Sequence, residues 1–132
     1  MQSLQLDEVT LVADFRAALR RFLRKSERNS RAAGLTPQRY LLLLMIKGAP
    51  DAREHSTVTE LADRLQLAQS TVTELVRRAE EAGLVERAQS ADDGRVAHLK
   101  LTEEGEQRLM KAFTSNEQER RELRETIARL DT

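Results

Sequence analysis

Two groups of side chains between Gln69 and Leu101 are suited to a polyanion. Laid out as a helix at about 100° per residue, Val72, Leu75, Val76 and Ala79 share one side. Ser70, Thr73, Glu74 and Arg77 share the other. The apolar side requires a core. The polar side carries hydroxyls near a helix N-terminus, where the chain approaches phosphates and base edges. One turn on, the planar fork of Arg77 matches the two acceptors of a guanine edge. An ordinary solvated face has the same pattern, so this helix alone leaves both readings open. The second group follows an Asp-Gly turn signal. There Arg95 would stand at a hairpin tip and suit the negative potential of a minor groove. Asp93, two residues earlier, would bond the guanidinium or cap the turn. A lone arginine on a turn is also commonly just a solvated charge.

The flanking pattern says what positions these groups. Thr57 and Glu60 form a capping box ahead of Val58, Leu61, Ala62 and Leu65. A short turn at Gln66–Leu67 leads to a second helix over about 69–82, closed by Gly83. Two short helices with a tight turn between them make a helix-turn-helix. Leu84–Arg87 and Val96–Leu101 then read as strands of a hairpin around Ser90–Gly94, a wing. Thr102 caps the next helix. Upstream, Leu11, Phe15, Leu19 and Phe22, widened by Val12 and Leu23, form one stripe on a helix over about 7–33, ended by Gly34. Thr36 and Pro37 start a helix whose run Leu41–Ile46 is apolar all round, hence central and buried. Downstream, Leu109, Phe113, Asn116, Arg120, Leu123, Ile127 and Leu130 keep heptad spacing like a pairing seam. That stretch reads equally as one helix or as two, with a break near Thr114–Ser115 where Ser115 and Gln118 form a second capping box. The fold expected is mostly α with a small β-wing.

Composition narrows the chemistry. The 132 residues suit one domain, and 33% are charged while only 3% are aromatic. So few rings speak against a β-sandwich or a stacking platform for single strands. With no cysteine, thiolate chemistry, disulfides and thiolate metal sites are excluded. His55 and His98 lie far apart in sequence, so no metal or other cofactor is expected. No phosphate-binding glycine loop or nucleophile elbow occurs, which indicates a non-enzyme. No apolar run approaches the ~18 residues of a membrane span, and MQSLQLDEVTLVADF has acids where a secretion signal carries bases. The expectation is a cytoplasmic protein without a membrane partner.

The segment ELADRLQLAQSTVTELVRRAEEAGLVERAQSADDGRVAHLKLTEEG resembles the core of the MarR family of winged helix-turn-helix regulators. The most specific part is the wing signature Asp-x-Arg-x-x-x-Leu-x-Leu-Thr-x-x-Gly, present as Asp93, Arg95, Leu99, Leu101, Thr102 and Gly105. Ser70, Thr71, Val72 and Thr73 match the usual start of the recognition helix. The resemblance implies one domain over 1–132. Residues 36–105 would form the DNA-binding lobe, and 1–34 and 106–132 would supply dimerisation helices. It implies a homodimeric transcription regulator, a repressor, on a pseudo-palindromic duplex site. Gln69, Ser70, Thr71, Thr73, Glu74 and Arg77 would meet the major groove, with Arg95 in the minor groove and Asp93 orienting it. Glu74 departs from the family, since many relatives carry a basic or neutral residue there. It would repel phosphate unless it accepts from a cytosine amino group. The tail after Gly105 looks shorter than the family's usual pair of C-terminal helices.

Charge complicates the picture. The chain holds 22 basic and 22 acidic residues, whereas DNA binders usually carry a basic excess. Gln69–Leu101 has five bases and six acids, a net of −1. Arg16–Arg31 has seven bases and one acid, a net of +6. That basic segment has three readings. It is a solvated face partly paired with the acidic C-terminal helix, or an edge contact to phosphates, or a pocket for a small anionic or aromatic effector. The pocket would use Arg20, Arg24 and Tyr40. The weak charge of the reading head also keeps a rival alive, a winged-helix protein-interaction module or co-regulator without its own DNA site.

Overall fold

The protein was analysed as a computed structural model describing residues 5–89 and 96–131. Its elements run α1 (Leu6–Ala32), α2 (Pro37–Lys47), α3 (Val58–Leu65), α4 (Gln69–Glu81), β1 (Val85–Gln89), β2 (Ala97–Leu101), α5 (Glu103–Ser115) and α6 (Glu117–Leu130). A single 3-10 turn at Pro50–Ala52 follows α2. The architecture is the mostly helical winged helix-turn-helix expected.

Local signals account for the boundaries. Thr36 accepts from the Arg39 amide at 3.1 Å, and Pro37 occupies the first turn, where its missing N–H is no loss. Thr57 accepts from the Glu60 amide at 3.2 Å and starts α3. Gln66 takes a left-handed conformation (φ 56°) to end α3, a place where glycine or asparagine is usual. Its side chain returns a bond to the Asp63 carbonyl at 2.5 Å. Gly83, at φ 76°, supplies the left-handed exit from α4.

The core is built around α2. Leu42, Leu43 and Ile46 are fully buried and lie in one cluster with Leu61 of α3, Val72, Val76 and Ala79 of α4, Leu99 and Leu101 of β2, and Leu109 of α5. Leu41 of the same run is 40% exposed, so α2 is not buried all round. The hairpin pairs Val85 with Leu101 and Gln89 with Ala97. The loop before α3 adds one residue to this sheet: Ser56 and Leu99 exchange both backbone bonds, at 3.0 and 2.7 Å. Beside that bridge, the rings of His55 and His98 meet edge to face with their Nδ1 atoms 2.9 Å apart.

Outside the lobe, α1 packs along α6. The stripe Leu11, Phe15, Leu19 and Phe22 is half-buried, whereas Leu6, Val9, Val12 and Leu23 are exposed. The C-terminal part is two helices, so the tail does contain a pair. The break falls at Asn116, and Ser115 does not cap α6: its hydroxyl bonds back to the Lys111 carbonyl at 2.8 Å. Asn116 is buried instead and receives a bond from Asn29 of α1 at 2.6 Å. The expected seam therefore splits. Leu109 is buried, Leu123 is half-buried, and Ile127 and Leu130 are exposed.

A knot of contacts joins the end of α4 to α5. The Thr102 hydroxyl donates to the Gly83 carbonyl at 2.6 Å and accepts from the Gly105 amide at 3.0 Å. The Thr102 amide donates to the Leu84 carbonyl at 3.0 Å. A Cβ on Gly105 would collide with that same Leu84 carbonyl, a backbone atom without a rotamer to give. Gly105→Ala is therefore expected to lower stability by about 1–3 kcal/mol, the usual scale of an overpacked site. Urea denaturation checks it, and an unchanged midpoint would contradict the packing described.

Candidate nucleic-acid interface

The buried back of α4 decides which side chains face outward. Val72, Val76 and Ala79 are wholly inaccessible, and burying each valine is favourable by about 1.5–3 kcal/mol. Gln69, Ser70, Thr71, Thr73 and Arg77 consequently lie on the exposed side, with Glu74 at its edge. The N-terminus of α4 follows Ala68, which has no side-chain acceptor, and no side-chain bond caps it among the described residues. Its first amides are left to water or to a ligand, the arrangement that favours anions at helix starts. Gln69 reaches across the turn to the Thr59 hydroxyl at 3.4 Å and links the two helices. Beside this face, Thr36, Pro37, Gln38 and Arg39 at the start of α2 form a recess of about 270 Å³ with Leu75 and Arg78.

The charges on this face are already occupied. The Arg77 guanidinium forks onto Glu74, with Nε–Oε2 at 2.9 Å and Nη2–Oε1 at 2.5 Å, and its Nη1 also pairs with Glu81. Arg78 donates to the same Glu74 carboxylate at 3.0 Å. Arg87 turns back onto Glu80 at 3.0 Å, and Lys100 lies 3.6 Å from Glu86. All four cations described between Gln69 and Leu101 thus have partners within the chain. Arg78 is not among the residues expected to bind, although its i, i+4 spacing from Glu74 is legible in the sequence. Asp93 and Arg95 lie outside the described residues.

The expected effector trio is not brought together within one chain. Arg20 and Arg24 line a shallow groove on α1 with Arg16, Leu19, Leu23 and Glu27, and Tyr40 is not part of it. Tyr40 is 5% exposed; burial raises its hydroxyl pKa, while a bond to Asn116 and the charge of Arg120 pull it back down. Asn116 and Arg120, which act on that hydroxyl, belong to the α5–α6 break. Of the basic segment, Lys25 lies 3.9 Å from Glu119 of α6. No group of three His, Asp or Glu residues able to hold a metal occurs among the described residues. No described helix is long and apolar enough to cross a membrane.

Comparison with known proteins places this geometry. The profile of the MarR family matches residues 33–96, from the end of α1 to the residue before β2. Over these residues the chain is similar to the MarR family. It is 33% identical over 73 residues to the HTH-type transcriptional repressor MdtR of Bacillus subtilis (strain 168), covering 55% of this chain and 44% of that protein. It spans from 32% to 49% of the length of the curated relatives it matches. Among solved structures it is similar to wild-type MarR of E. coli in its apo form, with a TM-score of 0.71, 19% identity, and coverage of 98% of this chain and 94% of that one. A mutant of S. aureus MepR bound to an oligodeoxyribonucleotide gives a TM-score of 0.68 at 20% identity, covering 85% and 80%.

The two arginines hold the Glu74 carboxyl down at about 2, the bonds from Arg77 and then Arg78 being the main causes. A depressed carboxyl pKa stabilises the fold above the unfolded value, near 4.5, and that contribution fades as pH falls through about 2. The Arg77–Glu74 fork should therefore persist throughout the acid range in which ordinary glutamates titrate. A carboxyl-carbon NMR titration should find Glu74 still ionised at pH 3. A midpoint near 4.5 would rule the fork out in solution.

Proposed function

We propose that this protein is a sequence-specific duplex-DNA-binding transcription regulator, a repressor, acting as a homodimer. One observation carries the reading. The rigid apolar back of α4 leaves hydroxyls, an uncapped helix start and Arg77 on one exposed face beside a hairpin. That is the division a recognition helix needs in a major groove. The similarity to a repressor by name and to an oligodeoxyribonucleotide-bound structure supports it.

In this reading, residues 36–105 form the DNA-binding lobe of a single domain over 1–132. Residues 1–34 and 106–132 supply the dimer helices. The exposed Leu6, Val9, Val12, Ile127 and Leu130 suit a second copy. Charge supports that pairing too: α1 begins with Asp7, Glu8 and Asp14 and ends with the +6 segment, so antiparallel copies would set acids against bases. Two recognition helices would then read successive major grooves of a pseudo-palindromic site through Gln69, Ser70, Thr71, Thr73, Glu74 and Arg77. Arg95, oriented by Asp93, would enter the minor groove. A small anionic or aromatic effector would act at the junction of lobe and dimer helices, with Arg20, Arg24 and Tyr40 the residues assigned to it. The protein works in the cytoplasm and catalyses no reaction.

A second reading, a protein-interaction module, is favoured by one fact: the described cations of the reading head are internally paired. Selection of bound sites from a random duplex pool separates the two, since enrichment of a palindromic consensus supports the regulator and no enrichment supports the module. On the selected site, Arg95→Ala should weaken binding by roughly 1–3 kcal/mol. Unchanged affinity of the folded variant would remove the wing from the interface. Raising salt should weaken binding steeply, and random duplex should bind poorly at physiological ionic strength. Tight, sequence-blind binding there would contradict this reading.

A further inference from the structure

We infer that Glu74 is a specificity-determining residue, a carboxylate latch that keeps Arg77 and Arg78 folded against α4 and away from the phosphates of arbitrary DNA. The inference rests on the DNA-binding reading above and adds a role that the fold does not require. Glu74 contributes nothing to the core: its side chain is 45% exposed and makes its bonds with two arginines of its own helix. One carboxylate thus engages both cations on the face that would meet the groove. Glu81 holds the remaining end of Arg77. The four side chains sum to zero charge in the middle of the reading helix.

This arrangement changes what a duplex must offer. Phosphates alone would have to take two arginines from a carboxylate while bringing that carboxylate against like charge. A site that presents a cytosine amino group in the major groove satisfies Glu74 with a donor of its own. The arginines are then released together, Arg77 toward a guanine edge and Arg78 toward a backbone lined by the recess at Arg39. Opening is therefore coupled to sequence. The cost is borne at every site, but a replacement partner is available only at some. That makes the carboxylate a device for discrimination rather than for affinity.

The test uses the full chain with Glu74→Gln, which keeps size and polarity and removes the charge. All of the groups involved are exposed, so the variant should fold, checked by its thermal midpoint. Two measurements are made. Salt needed to elute the protein from heparin reads cation release on any polyanion, with no DNA site required. Affinity for random and selected duplexes reads discrimination. The latch predicts later elution for E74Q, a gain of roughly ten-fold on random duplex, and a salt dependence steeper by about one to two phosphates. On the selected site the gain should be smaller or reversed, so the specificity ratio falls. In a triple variant that adds Arg77→Ala and Arg78→Ala, the gain should vanish. Unchanged elution and random-duplex affinity in E74Q would overturn the proposal. So would a gain that survives in the triple variant, because the loss of one negative charge would then explain it. If E74Q shifts on heparin but neither protein binds any duplex, Glu74 still restrains the two arginines, but its role in specificity is overturned together with the DNA-binding reading.

Discussion

The contact between the back of α4 and the centre of α2 constrains everything that faces outward. Leu42, Leu43 and Ile46 on one side meet Val72, Val76 and Ala79 on the other within a single closed cluster. Rotating α4 by a quarter turn would expose valines and bury threonines, which loses several kcal/mol of apolar burial and leaves hydroxyls unpartnered. The exposed ion pairs on the helix have no comparable leverage, because solvent screens them. The polar face is therefore a consequence of the core. The ion pairs are arranged on a surface that burial has already chosen, which leaves their composition open to adjustment for binding.

Thr102 and Gly105 extend that constraint to the wing. The threonine hydroxyl serves as donor to the end of α4 and acceptor for the start of α5, so one side chain ties recognition helix, hairpin and α5 together. Gly105 is small because the Leu84 carbonyl lies against it. Two positions of the wing signature thus have a packing explanation independent of any ligand. The Leu99 position has a third: it is wholly buried and also carries the bridge to Ser56.

Much of this was legible in the sequence because it depends on neighbours close in the chain. The caps at Thr36, Thr57 and Thr102, the left-handed Gly83, and the apolar back of α4 all follow from spacings of three or four residues. What was not legible depends on long-range contact. The Ser56–Leu99 bridge and the His55–His98 contact join residues 43 positions apart. The spacing after Gly105 reads equally as one helix or as two with a break near Thr114–Ser115, and the structure has two helices that meet at Asn116. The position was decided by a partner 87 residues away, Asn29, which gives Asn116 a bond inside the protein. Tyr40 is likewise buried away from the groove that Arg20 and Arg24 line, a placement decided by packing that local spacing does not report.

The reading face shows a different limit. Each residue type was placed on the correct side of the helix, yet pattern alone could not say whether Arg77 waits in solvent or is already held. The i, i+3 and i, i+4 spacings of Glu74, Arg77, Arg78 and Glu81 permit either state. Geometry resolves it: the guanidinium forks onto one carboxylate and touches a second. A net charge near zero in the reading head then stops being an argument against DNA. Charge that is absent cannot be recruited, but charge that is paired can be exchanged. The relevant quantity is the cost of that exchange at each duplex sequence, and the regional sum of +1 and −1 values does not contain it.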